Sequence, residues 1–379
     1  MEGEKLIIYS PQSSTRFKYV TEVIFSLVLG IKYEVVTDRS SLASGPDINY
    51  SGEVMDCPVH VQPAGLLNTD SIEHIVPEIS WSNGVPMLFP SGRKDTFPFD
   101  IFSASFYMLS RYEEYLEFHS DLHGRFTGSG SFAGKNGFLK LPVVDLWSIM
   151  LGNELNGTIP EAVMHNCSYR ALMTFDIDQA FAYRGHGFIR NAGGLIKDAF
   201  SRYSNPLHRI GTLAGRKEDP YNLFDYMTEQ VKKHHSDAIF FFPVGERSDH
   251  DRNPSFRDKG YRSLINHIMR VYETGIHSSY RSSGRQDVLN EEMKRFCDIT
   301  GSKAAKCRQH WLLLKMPFTY HSFISAGISS DFTMGFADEP GFRAGIARPY
   351  PFYDLANERI TDFTIVPFQV MDGTLMQYK

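Results

Sequence analysis

Cysteine is scarce in this chain of 379 residues: only Cys57, Cys167, Cys297 and Cys307 occur, and no two of them form a CxxC pair. That excludes a disulfide scaffold and suits a reducing compartment. Long apolar runs are missing as well, the longest being VIFSLVLGI at 23–31 and AIFFFPVG at 238–245, both too short to cross a bilayer. The opening MEGEKLIIYSPQSS has glutamates where a leader peptide would carry basic residues and a long apolar core. A cytoplasmic location is therefore expected. Positive charge is not in excess either: 39 Lys and Arg stand against 44 Asp and Glu, a net charge of -5. With a pI near 6.3, a broad phosphate-tracking surface is excluded, and nucleic acid with it as a partner. Finally, the first strand is followed by SPQSSTR, which is neither GxGxxG nor GxxxxGK[ST], so no glycine-rich phosphate cradle is present there.

What remains is the composition of a packed globular chain, 42% hydrophobic and 22% charged, with 30 Gly and 19 Pro too few for linker or disorder. Its length exceeds what one core usually organises, so two domains are expected, 1–165 and 166–379. Residues 5–9 and 33–37 read as strands around a helix at 19–29, an α/β opening. The stretch 99–118, FDIFSASFYMLSRYEEYLEF, carries an aromatic and aliphatic stripe suited to a packed helix. Its polar residues Arg111, Glu113 and Glu114 read as a solvated or neighbour-bound face. A glycine-rich excursion at 121–142 and a helix at 143–155 complete this half.

The second half alternates short apolar strands at 172–175, 238–242 and 276 onward with helical stretches of roughly ten to fifteen residues, the pattern of a βα array with a mainly parallel sheet. Such folds gather chemistry at the C-terminal ends of their strands. Three polar clusters fall there: Asp176 with Asp178, His277 with Ser278 and Tyr280, and Arg308 with His310. Residues two apart on an extended segment share a side, so both carboxylates of D-I-D can face one pocket while Ile177 turns away. Close carboxylates push their proton affinities apart, leaving one as a hard metal ligand and the other as a general base. A carboxylate with an imidazole begins a zinc or comparable transition-metal site. Against this, a lone histidine is more often structural than a ligand.

These segments resemble the polysaccharide deacetylases, the NodB-homology group also called carbohydrate esterase family 4. ALMTFDIDQA is similar to the family's TFDD opening, FFFPVGE to its second strand, GYRSLINHIMRVYETGIHSSY to the helix leading into its histidine motif, and TGSKAAKCRQHWL to its arginine segment. FDIFSASFYMLSRYEEYL, RQHWL and GFADEPGFRAG resemble a bacterial subgroup with an extra N-terminal α/β domain. The resemblance implies a distorted, irregular (β/α) barrel that removes N- or O-acetyl groups from a polysaccharide or saccharide precursor, using a divalent metal, with zinc first and nickel or cobalt as alternatives. It implies Asp176 as the base, Asp178 and His277 as metal ligands, and Arg308 as the group that orients Asp176.

Three departures go with it. Ile177 separates aspartates that are adjacent in the family. Arg281 stands where the second ligand histidine would fall, and a guanidinium is a donor that cannot bind a cation; His310 could supply the missing imidazole, or simply bond a wall of the pocket. No late Leu-x-His segment follows, since the last histidine is His321, so the barrel is expected to be incomplete or truncated at its C-terminus, with 365–370 as its final strand. The alternative is a catalytically inactive saccharide-binding or assembly protein on the same scaffold. Two further stretches read as accessory: 331–348, with Asp331, Asp338, Glu339 and Arg343, as a rim loop for sugar contacts, and 184–217, with seven basic residues against Asp198 alone, as a basic lid attracting a phosphate-bearing sugar. A membrane surface fits that lid less well from sequence, because its one clear helical piece is short.

Overall fold

The computed structural model describes residues 5–42, 45–94, 96–155, 169–200 and 206–377. By compactness the chain divides into a first unit of Met1–Ser168, Leu314–Pro317 and Phe332–Lys379 and a second of Tyr169–Leu313 and Phe318–Asp331. The boundary expected at 165 lies outside the described residues. The segment from Phe332 onward, expected to close the second domain, groups with the first instead.

In the first unit, β1 (Leu6–Tyr9), β2 (Tyr33–Val36), β3 (Ile48–Asn49) and β4 (Val59–His60) form a parallel sheet in the order β2-β1-β3-β4. Helix α1 (Thr15–Thr21) starts where the Ser14 side chain accepts the Phe17 N–H at 3.0 Å, continues as a π-helix over Glu22–Leu29, and stops at Gly30 in the left-handed region. β5 (Ile79–Ser82) and β6 (Val85–Leu88) make a hairpin. Helix α2 (Ile101–Leu109) is capped by buried Asp100, whose carboxylate accepts from Phe102 and Ser103 N–H. It is shorter than its apolar stripe because Arg111 takes φ 54° and turns the chain into a 3-10 segment. Helix α3 (Val143–Glu154) follows, with Trp147 Nε1 donating to the Pro86 carbonyl at 2.7 Å.

The polar end of the α2 stripe is not solvated. Glu114 accepts Arg111 Nε at 2.8 Å and, bidentately, Arg343 Nε at 2.9 Å and Nη2 at 2.7 Å, with all three side chains at most 2% exposed. Burial alone would raise the Glu114 carboxyl; the two guanidiniums overcome it and hold the group below its ordinary value. The expected rim loop is therefore partly an interior element. Arg343 is buried in this cluster, and Asp338 accepts the backbone N–H groups of Gly128 and Ser129 at 2.8 and 3.0 Å. Hydrophobic patterning could not show this, because an ion pair between positions 114 and 343 has no local signature.

The second unit is built from five parallel strands, β7 (Leu172–Asp176), β8 (Asp237–Phe242), β9 (Glu273–Ser278), β10 (Lys306–Gln309) and β11 (Ser330–Asp331), each lying beside the next in chain order. The connection from β7 to β8 carries α4 (Phe188–Ala199), α5 (Pro206–Leu213) and α6 (Phe224–Lys233). The later crossovers use α7 (Lys259–Ile268), α8 (Gln286–Thr300) and α9 (Phe318–Ser325). Parallel strands that neighbour one another in unbroken chain order, with helices in the connections, follow the order of a βα barrel rather than that of a doubly wound sheet, whose strand order reverses. No closed barrel forms among the described residues. Asp258 caps α7 by accepting Tyr261 N–H at 2.9 Å, and Gly301 ends α8 at φ 77°. Gly275 lies inside β9: a Cβ there would meet the Phe241 ring at 2.6 Å and the Lys306 carbonyl at 2.7 Å. It is a close-approach glycine of a central strand.

After β11 the chain returns to the first unit, where β12 (Tyr350–Asp354) and β13 (Arg359–Ile365) pair antiparallel. The strand expected at 365–370 thus ends where it was expected to begin; Pro367 interrupts any ladder beyond it. A short helix at Asp372–Gln377 follows.

Removing the shared anion of the buried cluster leaves two guanidiniums without a counter-charge. Glu114→Ala is expected to lower unfolding stability by about 3–5 kcal/mol, measured by chemical denaturation.

Candidate metal centre

The polar groups of the second unit arrive on neighbouring strand ends. β7 closes on Asp176, whose register partner on β8 is Phe241; β9 carries His277 opposite Arg308 on β10. Ile177 keeps the ladder going through its N–H to the Phe241 carbonyl at 2.9 Å and is buried, while Asp176 before it and Asp178 in the turn after it are exposed.

Asp178, His277 and His310 form a group whose ligand atoms all lie within 4.8 Å of one another, an arrangement able to hold a divalent ion. Asp178 Oδ1 stands 3.1 Å from His277 Nε2 and 3.6 Å from His310 Nε2. Each ring is fixed from behind. His277 Nδ1 meets the Arg308 carbonyl at 2.8 Å, and since a carbonyl only accepts, Nδ1 carries the hydrogen and Nε2 is the nitrogen left for a metal. His310 Nδ1 meets Asp251 Oδ1 at 2.9 Å, which selects Nε2 in the same way. Asp251 is itself held by the Ser248 hydroxyl at 2.6 Å and the Tyr280 N–H at 2.8 Å.

The electrostatics follow from this sharing. The Asp178 side chain is 54% exposed. Partial desolvation opposes its charge, but hydrogen bonds and charge from His277 and His310 prevail and hold it well below the usual carboxylate range. For His310 burial works toward the neutral ring, yet its bonds to Asp178 and Asp251 push it up to about 9. Without a metal, then, His310 carries a second proton at neutral pH.

Arg308 lies beside this group. Its Nη1 donates to Asp176 Oδ1 at 3.2 Å, and its guanidinium sits 5.1 Å from the Phe241 ring centroid. Strand β10 ends at Gln309, so His310 enters the group from a turn rather than from a continued strand. The next two residues, Trp311 and Leu312, take φ 61° and 53°, a left-handed pair without glycine. Beyond the turn the rings of His250 and Tyr280 stack at 4.1 Å and Trp311 meets His250 edge-on at 5.1 Å.

The five residues singled out from sequence therefore sit in one neighbourhood: Asp178, His277 and His310 in the triad, Asp176 and Arg308 paired at its side. Arg281 is exposed in the turn after β9 and does not join them. Asp251 was missed. Its only signal is position, an aspartate in the GERSDHDRNP loop at the C-terminal end of β8. Of the basic lid, Arg209 is bound to Asp198 at 2.7 Å and Arg190 to His186 at 2.6 Å, while Arg202 lies outside the described residues.

Residues 6–160 match the model of a family described as a family of unknown function (DUF7033). No curated protein matches the chain. Among solved structures the chain is similar in part to three proteins. A protein of Mycobacterium smegmatis assigned to the polysaccharide deacetylases shares 15% identity over 54% of this chain and 62% of that one, with a TM-score of 0.31. IcaB of Ammonifex degensii shares 15% over 44% and 84%, with a TM-score of 0.24. A de-N-acetylase of Aggregatibacter actinomycetemcomitans shares 10% over 55% and 99%, with a TM-score of 0.27. The chain thus spans less than two thirds of the first of these. Likeness of this degree assigns no residue and no reaction.

Two outcomes are expected from zinc titrations followed by calorimetry. Asp251→Asn weakens affinity about 10- to 100-fold by releasing the His310 ring. Because His310 titrates at about 9, an ion must displace its proton at lower pH, so wild-type affinity falls about tenfold for each unit that pH drops through the neutral range.

Proposed function

We propose that this protein is a metal-dependent hydrolase that removes acetyl groups from a polysaccharide or saccharide precursor, on a distorted, open (β/α) barrel of the deacetylase type. The observation that carries the reading is the pairing of two preparations side by side: a triad of one carboxylate and two imidazoles, each ring bonded at Nδ1 so that Nε2 is turned toward the carboxylate, and a second carboxylate held by an arginine next to it. A purely structural histidine needs neither.

Asp178, His277 and His310 would hold the ion, and the mixed oxygen and nitrogen set suits zinc, with nickel and cobalt as alternatives. Such an ion supplies Lewis acidity toward water and toward an acyl oxygen. Asp176 then acts as the base that takes the proton of the attacking water. Arg308 aims that carboxylate, since its Nη1 bonds one oxygen and leaves the other to receive the proton. Both nitrogens of His310 are engaged, Nδ1 with Asp251 and Nε2 in the triad, so His310 serves as a ligand and not as the acid that protonates the leaving group. Trp311, 36% exposed beside His310, together with His250 and Tyr280 offers an aromatic wall on which a sugar ring can stack. The cytoplasmic location expected from the cysteine pattern belongs to the same proposal; the described thiols Cys57, Cys297 and Cys307 are free.

Acetate release from acetylated oligosaccharides tests the reading. Asp176→Asn is expected to lower turnover by about 10²- to 10⁴-fold with zinc stoichiometry unchanged. A zinc-loaded wild type that binds oligosaccharide and liberates no acetate would instead assign the scaffold to saccharide binding.

A further inference from the structure

The two helices that follow β7 are built inside out. In α4 the residues that are buried are Asn191 and Asp198, while Phe188 and Ile189 are each 88% exposed, Ile196 is 65% exposed, and Phe200 at the C-cap is 89% exposed. At a helical period of about 3.6 residues, Phe188, Ile189, Leu195 and Ile196 fall on one side and Asn191 and Asp198 on another. Helix α5 repeats the inversion: Thr212 is its buried residue, and Leu207, Ile210 and Leu213, spaced by three, are exposed at 70%, 49% and 43%. A surface helix of a soluble protein is arranged the other way round.

The inversion is held by specific polar bonds between the helices. Arg209 on α5 donates to Asp198 at 2.7 Å and to Asn191 at 3.2 Å, both on α4, and its guanidinium lies 4.3 Å from the Tyr183 ring centroid. The pair is thus stapled through a polar interior with its apolar sides outward. Large apolar side chains exposed in this number on two joined helices mark an interaction surface.

Charge identifies the occupant. From 179 to 217 the sole acidic residue is Asp198, and it is buried against Arg209. Asp219, just beyond, is also buried and accepts the N–H groups of Ala182, Tyr183 and Arg184. Arg184, Lys197, Arg216 and Lys217 are exposed, with Glu218 the one exposed acid at the far end. An apolar helix face flanked by exposed lysine and arginine, with its carboxylates turned inward, has the complement of an anionic lipid surface: acyl chains for the Phe, Ile and Leu side chains, phosphate headgroups for the cations. No described helix is long and apolar enough to cross a membrane, so the pair would lie in the interface.

We infer that α4 and α5 form an interfacial anchor that docks the second unit onto anionic membranes. The shortness of each helix, which argues against a membrane from sequence, is offset by joining two of them through Arg209. This inference does not depend on the hydrolase reading.

The test is flotation of the full chain with phosphatidylcholine vesicles, with and without phosphatidylglycerol. The protein is expected to float with the anionic vesicles at least about tenfold more tightly than with the neutral ones, and to be released by high salt. Phe188→Ser combined with Ile189→Ser, at positions 88% exposed, should weaken flotation by on the order of tenfold while circular dichroism and zinc binding stay unchanged. Absence of flotation with either vesicle overturns the inference, as does a double variant that floats like the wild type. A dimer in solution that the same two substitutions dissolve, without vesicle binding, assigns the face to a second copy and overturns it as well.

Discussion

The parallel register between β9 and β10 is the constraint on which the centre depends. It sets His277 opposite Arg308, so that the backbone carbonyl of the same arginine whose side chain reaches Asp176 also fixes the His277 tautomer. One residue of slippage would turn every side chain of β10 to the opposite face, removing Arg308 from Asp176. Gly275 helps to hold the strands this close, since any side chain there would strike Phe241 and the backbone of Lys306. Close packing and the geometry of the centre are thus one requirement, met at β8, β9 and β10 together.

Charge in the centre is arranged in matched sets rather than as isolated groups. Asp178 lies between two imidazoles, Asp251 secures the second of them, and Asp176 is balanced by Arg308. Each carboxylate has a cation or a protonated ring at hand, so the site tolerates partial burial without a metal and is organised to exchange protons for one. The two left-handed residues after His310 fit this picture: backbone strain at Trp311 and Leu312 is the kind retained where a side chain has to be delivered to a defined point.

The two units handle polarity in opposite ways. In the first, Glu114 is sealed between Arg111 and Arg343, an interior cluster whose members are supplied by distant parts of the chain. In the second, α4 and α5 bury polar groups and expose apolar ones. Burying a charge is tolerable only with a partner of good geometry, and Arg209 with Asp198 satisfies that condition while leaving the apolar sides outward. Hydropathy averaged along the sequence cannot distinguish such a helix pair from an ordinary one; the direction of each face relative to the rest of the fold is what differs.

Local pattern carried a large part of this protein. The D-I-D spacing singled out Asp176 and Asp178, periodicity located most of the helices, and the succession of strand and helix implied parallel strands with polar residues gathered at their ends. These features rest on interactions among near neighbours in the chain, so they are written in short windows. What needed the folded chain was long-range: that the residues from 332 onward join the first unit, that Arg343 is an interior cation, that Gly275 serves a strand, that the His310 ring joins Asp178 and His277 instead of only bonding a wall of the pocket, and that Asp251 stands behind it. Each of these depends on contacts between segments tens to hundreds of residues apart. Such contacts are decided by packing and by the pairing of buried charge, and no spacing rule within one segment encodes them.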